Sequence, residues 1–235
     1  MTTTTSLPKR VAAEFLGTAF LVAAVVGSGI MAERLSAGNV ALALLANTIT
    51  TGAALVALIL AFGPISGAHL NPVVSLVDAI ELGLSWSEAG AYSLAQLSAG
   101  IAGTLVAHAM FAVPLISLSH HVRHGPAQVF SEFVATFGLL CVIWGCARSH
   151  PTAAPFAVGS YITAAYWFTA STSFANPAVT VARSLSDTFA GIRPADAPYF
   201  ILAQIAGAIA ATILFRWLIS SLPAAAKNVV ARERE

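Results

Sequence analysis

The sequence predicts an all-α membrane protein, with six transmembrane helices plus two re-entrant half-helices arranged as an inverted repeat. Three observations carry this. The 235-residue chain is 57% hydrophobic and only 9% charged, with a mean hydropathy of +0.82; a soluble domain would carry about a quarter charged residues. Six apolar segments reach or approach the roughly 20 residues that a bilayer core demands. Two further apolar stretches are too short to cross, and each begins with Asn-Pro.

The polar opening MTTTTSLPKR leads into a first span at Val11–Ala32. That run is longer than the core of a signal peptide and has no small-residue cleavage site, so it reads as a retained span. The turn ERLSAGN separates it from a second span, Val40–Phe62. FGPISGAHL then introduces the first short stretch, Asn71–Ile80. The third span is Glu88–Ala112, and the fourth, Val129–Ala147, follows HHVRHGP. The fifth, Pro155–Ala170, is short and is expected to extend at either end. TASTSFA precedes the second short stretch, Asn176–Leu185, and GIRPADAP precedes the sixth span, Ala197–Ser221. Residues 222–235 follow the last span as a tail.

Charge sets orientation and excludes some partners. With six spans, both termini share a face. That face collects Lys9, Arg10, Arg148, Arg216, Lys227, Arg232 and Arg234, against Arg34, Arg123, Arg183 and Arg193 on the other. Basic residues accumulate on the cytoplasmic side, so both termini and the tail are expected in the cytoplasm, with the protein in the cell's inner (plasma) membrane. A formal charge of +1 gives no footprint for nucleic acid. Cys141 and Cys146 lie five apart on one apolar segment and point in different directions, which suits small fillers rather than a disulfide. No cofactor, no metal set and no nucleophile–base pair is legible, so an enzyme has no support.

The chain repeats itself. AEFLGT at Ala13–Thr18 matches SEFVAT at Ser131–Thr136; NPVVS at Asn71–Ser75 matches NPAVT at Asn176–Thr180; AQLSAG at Ala95–Gly100 matches AQIAGA at Ala203–Ala208. The order Glu, Asn-Pro, Gln therefore occurs twice in a single domain, over about 10–112 and about 127–221. Three spans per copy is an odd number, so the second copy enters the membrane from the opposite face. Transporters and channels built this way hold their site at the midplane between the copies.

Asn is a good N-cap, and Pro is favoured at the first helical position. Each Asn-Pro thus starts a half-helix, and the inversion brings the two starts together from opposite faces. Irregular backbone ahead of them is tolerable only where it lines a water-filled cavity. Each Asn oxygen can cap its own helix, leaving the side-chain NH2 to donate into the conduit. Two donors and two positive helix ends repel cations and orient a passing water. A water held that way cannot relay a proton.

These residues are similar to those of the aquaporin, or major intrinsic protein, family. The resemblance rests on AEFLGT, SGAHLNP at Ser66–Pro72, SEFVATFG, FANPA at Phe174–Ala178 and the two AQ segments, and it covers essentially the whole chain in order. It implies a homotetramer in the lipid bilayer with one pore per subunit, passing small neutral solutes. The pore region would comprise Asn71, Pro72, Val73, Asn176, Pro177 and Ala178, the first triplet having Val73 where the family has Ala. It also implies that Glu14 and Glu132 brace the loops before the half-helices, with His69 packed beside Asn71. Most members have Arg directly after the second triplet; this chain has Val179. By family offsets, the outer constriction would be Thr51, Ala164, Ser173 and Val179, a wide ring with no aromatic and no charge. That pattern is similar to bacterial aquaglyceroporin-like channels associated with arsenic-resistance genes, and arsenous acid, uncharged at neutral pH and polyol-like, is a candidate solute beside methylated arsenicals.

Arg183 lies one turn beyond Val179 and either lends charge to the outer mouth or snorkels to the interface and caps the half-helix. Asp78 stands at the matching position of the first copy. His120, His121 and His124 read as a solvated loop, with a pH- or metal-sensitive gate as the competing reading. Three rival functions remain: a water-selective pore, a proton-coupled carrier using Glu14 or Glu132, and a scaffold with a vestigial pore.

Overall fold

A computed structural model describes residues 5–219, and all regular secondary structure among them is helical. The elements are α1 (Leu7–Leu35), α2 (Val40–Ser66), α3 (Pro72–Ile80), α4 (Trp86–Met110), α5 (Pro126–Ser149), α6 (Ala154–Phe168), α7 (Pro177–Arg183) and α8 (Ala197–Leu218). A 3-10 turn, Pro151–Ala153, precedes α6. Both short stretches are helices of nine and seven residues. The helices α1, α2, α5 and α8 are long and apolar enough to cross a membrane by themselves. Helix α4 carries Gln96, Thr104 and His108 on its buried face, and α6 has only 15 residues. The fifth segment therefore gains a turn at its start and stops short of Ala170. The expected tail, and the last residues of the sixth span, lie outside the described residues.

Helix ends follow their sequence signals. Asn39 caps α2 by accepting from the Leu42 N–H at 3.1 Å. Ser85 and Glu88 form a reciprocal capping box at α4, which satisfies two backbone donors that a helix start leaves orphaned. Glu88 also accepts from Arg10 of α1, tying the two helices at the terminal face.

Packing obeys the inversion. Helix α1 packs on α2 and α4, and α5 packs on α6 and α8; α3 touches α4 and α8, while α7 touches α8 and α4. The copies meet where α2 crosses α6. A Cβ on Gly159 would lie 2.7 Å from the Gly52 carbonyl oxygen, and one on Gly52 would lie 3.0 Å from that of Gly159. Only glycine allows backbones to approach this closely. Gly103 of α4 against the Ala19 carbonyl, and Gly207 of α8 against the Phe133 carbonyl, repeat the same device within each half.

Polarity is inside out relative to a water-soluble bundle. Glu14, Gln96, Glu132 and Gln204 are fully buried, whereas Leu94 is 71% and Trp217 80% exposed. Such a surface is stable only against lipid or another apolar partner.

Candidate functional site: the paired Asn-Pro loops and the central cavity

Each half-helix is preceded by a loop that a buried glutamate holds. Glu14 accepts from the Ser66 hydroxyl at 2.7 Å, the His69 N–H at 2.9 Å, the Leu70 N–H at 2.7 Å and Gln96 Nε2 at 2.8 Å. Glu132 accepts from the Phe174 and Ala175 N–H groups, both at 2.8 Å, and from Gln204 Nε2 at 2.6 Å. The glutamines then reach the half-helices: Gln96 donates to Ser75 Oγ and Gln204 to Thr180 Oγ1. The loops need this support because their backbones are left-handed at equivalent residues, Ala68 and Leu70 (φ 47° and 51°) in one and Ser173 and Ala175 (φ 50° and 47°) in the other. Each such non-glycine residue costs about 1–2 kcal/mol. Charge-assisted hydrogen bonds of about 1.5–3 kcal/mol apiece offset that.

The two caps also grip each other. Asn71 Oδ1 accepts from the Val73 N–H at 3.1 Å, and Asn176 Oδ1 from the Ala178 and Val179 N–H groups at 2.9 and 3.3 Å. Asn71 Nδ2 donates to the Ala175 carbonyl at 2.8 Å, and Asn176 Nδ2 to the Leu70 carbonyl at 2.7 Å. Each amide nitrogen has two hydrogens, so the cross-loop bond takes one. Only one N–H per asparagine is left for a solute, where the sequence suggested that the whole group was free.

A cavity of about 110 Å3 runs past both asparagines. A single water needs roughly 10–15 Å3 by this measure, so several waters or one small polyol fit. Val158 and Ile143 line it toward the terminal face, and Thr51, Tyr166, Ser173, Val179, Phe174 and Arg183 toward the far face. Tyr166 Oη lies 3.2 Å from Thr51 Oγ1.

Comparison with known proteins settles what this architecture belongs to. The model of the "Major intrinsic protein" family matches residues 1–173 and 149–234, the two matches together spanning nearly the whole chain. The chain belongs to the major intrinsic protein family. It is 57% identical over 213 residues to an aquaglyceroporin, AqpS, of Rhizobium meliloti (strain 1021), covering 91% of each chain. It is 34% identical to aquaporin NIP1-4 of Oryza sativa subsp. japonica, covering 84% of this chain and 72% of that one. The X-ray structure of the aquaglyceroporin from Plasmodium falciparum shares the fold, with a TM-score of 0.73 over 93% of this chain and 99% of that one, at 19% identity. The protein is thus a membrane channel of the aquaglyceroporin type and not an enzyme.

Among the positions that the family offsets selected, Thr51, Ser173 and Val179 line the cavity. Ala164 does not: it is exposed on the outer side of α6. The offset of 12 residues before Asn176 assumed a longer connection than this chain has. Tyr166, only ten residues before Asn176 (176 − 166), is the α6 side chain that lines the cavity beside Thr51. Two residues on a helix differ by about 200°, so the miscount turned the site to the wrong face. The expected absence of aromatic and charged groups is corrected with it, because Tyr166, Phe174 and Arg183 also border the cavity there.

Arg183 neither snorkels nor caps its own helix. It is 2% exposed. Its Nε donates to the Ala190 carbonyl, and its guanidinium stacks on the Phe174 ring, 3.4 Å from the centroid. Arg123, from the loop between α4 and α5, reaches the same ring at 5.0 Å and donates to the Gly191 and Ser171 carbonyls. Nothing in composition or spacing announces that pairing, since three segments supply it.

The histidines disperse. His120 Nδ1 lies 3.0 Å from Asp187, and His124 Nδ1 lies 3.7 Å from Asp196. No His, Cys, Asp and Glu group with metal-holding geometry occurs among the described residues. His69 lines the cavity; its Nδ1 meets Ser75 Oγ at 3.0 Å, its ring stands edge-on to Tyr92, and its Nε2 lies 3.8 Å from the buried Asp78.

Proposed function

We propose that this major intrinsic protein is a passive channel for small uncharged solutes: water, glycerol-like polyols and, in the same size and charge class, metalloid acids such as arsenous acid. It works in the plasma membrane as a homotetramer with both termini in the cytoplasm, one conduit per subunit. The observation that carries this reading is the meeting of two asparagine-capped half-helices on one cavity several waters in volume. Their remaining N–H donors and electropositive ends face the conduit, so water oxygens turn toward them and cations are repelled. Val179 in place of the usual arginine, together with Thr51 and Ser173, leaves room for a solute larger than water, while Tyr166 limits that room on the α6 side. The relative that is 57% identical bears the name aquaglyceroporin, which agrees with polyol passage.

The proton-coupled carrier needs a buried acid free to take up a proton. Glu14 receives four hydrogen bonds and Glu132 three, which suits loop bracing and leaves neither acid idle. Proteoliposomes shrunk osmotically and allowed to re-swell with glycerol, then with arsenous acid, test the proposal. Non-saturating re-swelling, faster than in empty liposomes and indifferent to an imposed pH gradient, is expected. Shrinkage without re-swelling would leave a water-only pore, and saturation with pH coupling would mark a carrier.

A further inference from the structure

The residue after the second Asn-Pro-Ala triplet carries no charge, yet the outer end of the cavity is not uncharged. Arg183 is buried and lines it. Its Nη1 is closed off and has no hydrogen-bond partner among the described residues, so any donation into the conduit falls to Nη2. A guanidinium buried at the cavity wall gains from any oxygen that the conduit brings to its remaining donor. The side chain is not loose: the Ala190 carbonyl holds Nε, and Phe174 lies flat beneath the guanidinium. Phe174 is fixed in turn by its backbone bond to Glu132 and by the edge of the Phe200 ring. The charged groups acting on Arg183 are Arg123 and Glu132, and the three form no ion pair with one another. Glu132 spends its carboxylate on Phe174, Ala175 and Gln204, leaving this end of the conduit with an excess of positive charge. The Tyr166 hydroxyl, beside Thr51, also acts on it electrostatically.

We propose that Arg183 supplies the cation of the outer constriction from one turn further along α7, binding an oxygen of each passing solute through Nη2 and setting the preference for hydroxyl-rich solutes and oxyacids over cations. This rests on the channel reading above. The guanidinium is displaced sideways from the position after the triplet, so it can select without filling the space beside Val179. A planar oxyanion of matching size, nitrate, would dwell on the same nitrogen and obstruct traffic.

Full-length protein in proteoliposomes, with R183K and R183Q beside the parent, tests this through three readouts: water shrinkage, glycerol re-swelling, and proton leak from an internal pH dye under an imposed potential. R183Q is expected to raise proton leak about tenfold, the scale of losing one charge-assisted contact, measured against water flux in the same vesicles. R183K, which keeps the charge, is expected to stay near the parent in leak. Nitrate is expected to slow glycerol entry in the parent, relative to gluconate at equal osmolarity, and not in R183Q. A tight R183Q with normal water flux would overturn the assignment, as would a parent indifferent to nitrate, a result that needs no variant to fold. Failure of the parent to pass water or glycerol would sink the channel reading instead, so the two failures are distinguishable.

Discussion

Replacing Glu132 by alanine should disable the second half of the conduit, and its size follows from the hydrogen bonds. The carboxylate is fully buried and accepts from the Phe174 and Ala175 N–H groups and from Gln204. E132A strands three buried donors at about 1–3 kcal/mol each. Partial relaxation brings the net loss to about 3–5 kcal/mol, the range for removing one partner of a buried charged cluster. The left-handed residues Ser173 and Ala175 then lose the bonds that offset their strain. The Ala175 carbonyl also carries the bond from Asn71, so damage crosses to the other half. Thermal unfolding in detergent should show a midpoint lowered by roughly 10 °C, and water flux per folded protein should fall several-fold. E132Q, which keeps one acceptor oxygen but turns a donor toward a backbone N–H, should lie between. An E132A protein within about 0.5 kcal/mol of the parent, with undiminished water flux, would refute the bracing argument.

Other outcomes follow from the same geometry. Y166A should widen the far-face constriction and let four-carbon polyols re-swell vesicles faster relative to water, whereas Y166F, losing only the contact with Thr51, should change that ratio little. N176D removes the donor to the Leu70 carbonyl and places a negative charge at the midplane; measurable sodium or proton conductance is expected, where the parent has none. G159A sets a Cβ 2.7 Å from the Gly52 carbonyl and should lower the unfolding midpoint by pushing α6 off α2. At the far face, burial alone would raise the Asp196 carboxyl, but Arg193 and the Arg123 N–H outweigh it and hold it below the ordinary carboxylate range. A depressed carboxyl stabilises above its unfolded value and loses that contribution as pH falls through the folded one. Amides of the loop around Arg123 should therefore lose protection, relative to their intrinsic exchange rates, below about pH 4.

Much of this was legible because the residues concerned answer to backbone needs. Asn71-Pro72 and Asn176-Pro177 announce helix starts, and apolar stretches too short to cross announce half-helices. The recurrence of Glu14 and Gln96 as Glu132 and Gln204 revealed the inversion, since the same loop strain needs the same support in each copy. What stayed hidden depends on geometry between segments. Tyr166 replaced Ala164 because a connection two residues shorter than assumed turns a helix face by more than half a revolution. The mutual grip of Asn71 and Asn176 requires both loops at once. The Phe174 stack joins Arg183 of α7 to Arg123 of a distant loop, and no periodicity in one segment encodes it.

The most direct test records water and glycerol movement and internal pH together in the same proteoliposomes. The account predicts rapid osmotic shrinkage, re-swelling that rises linearly with glycerol concentration, and an internal pH that tracks empty vesicles throughout. Re-swelling that saturates, or an internal pH that shifts in step with solute entry, would contradict it.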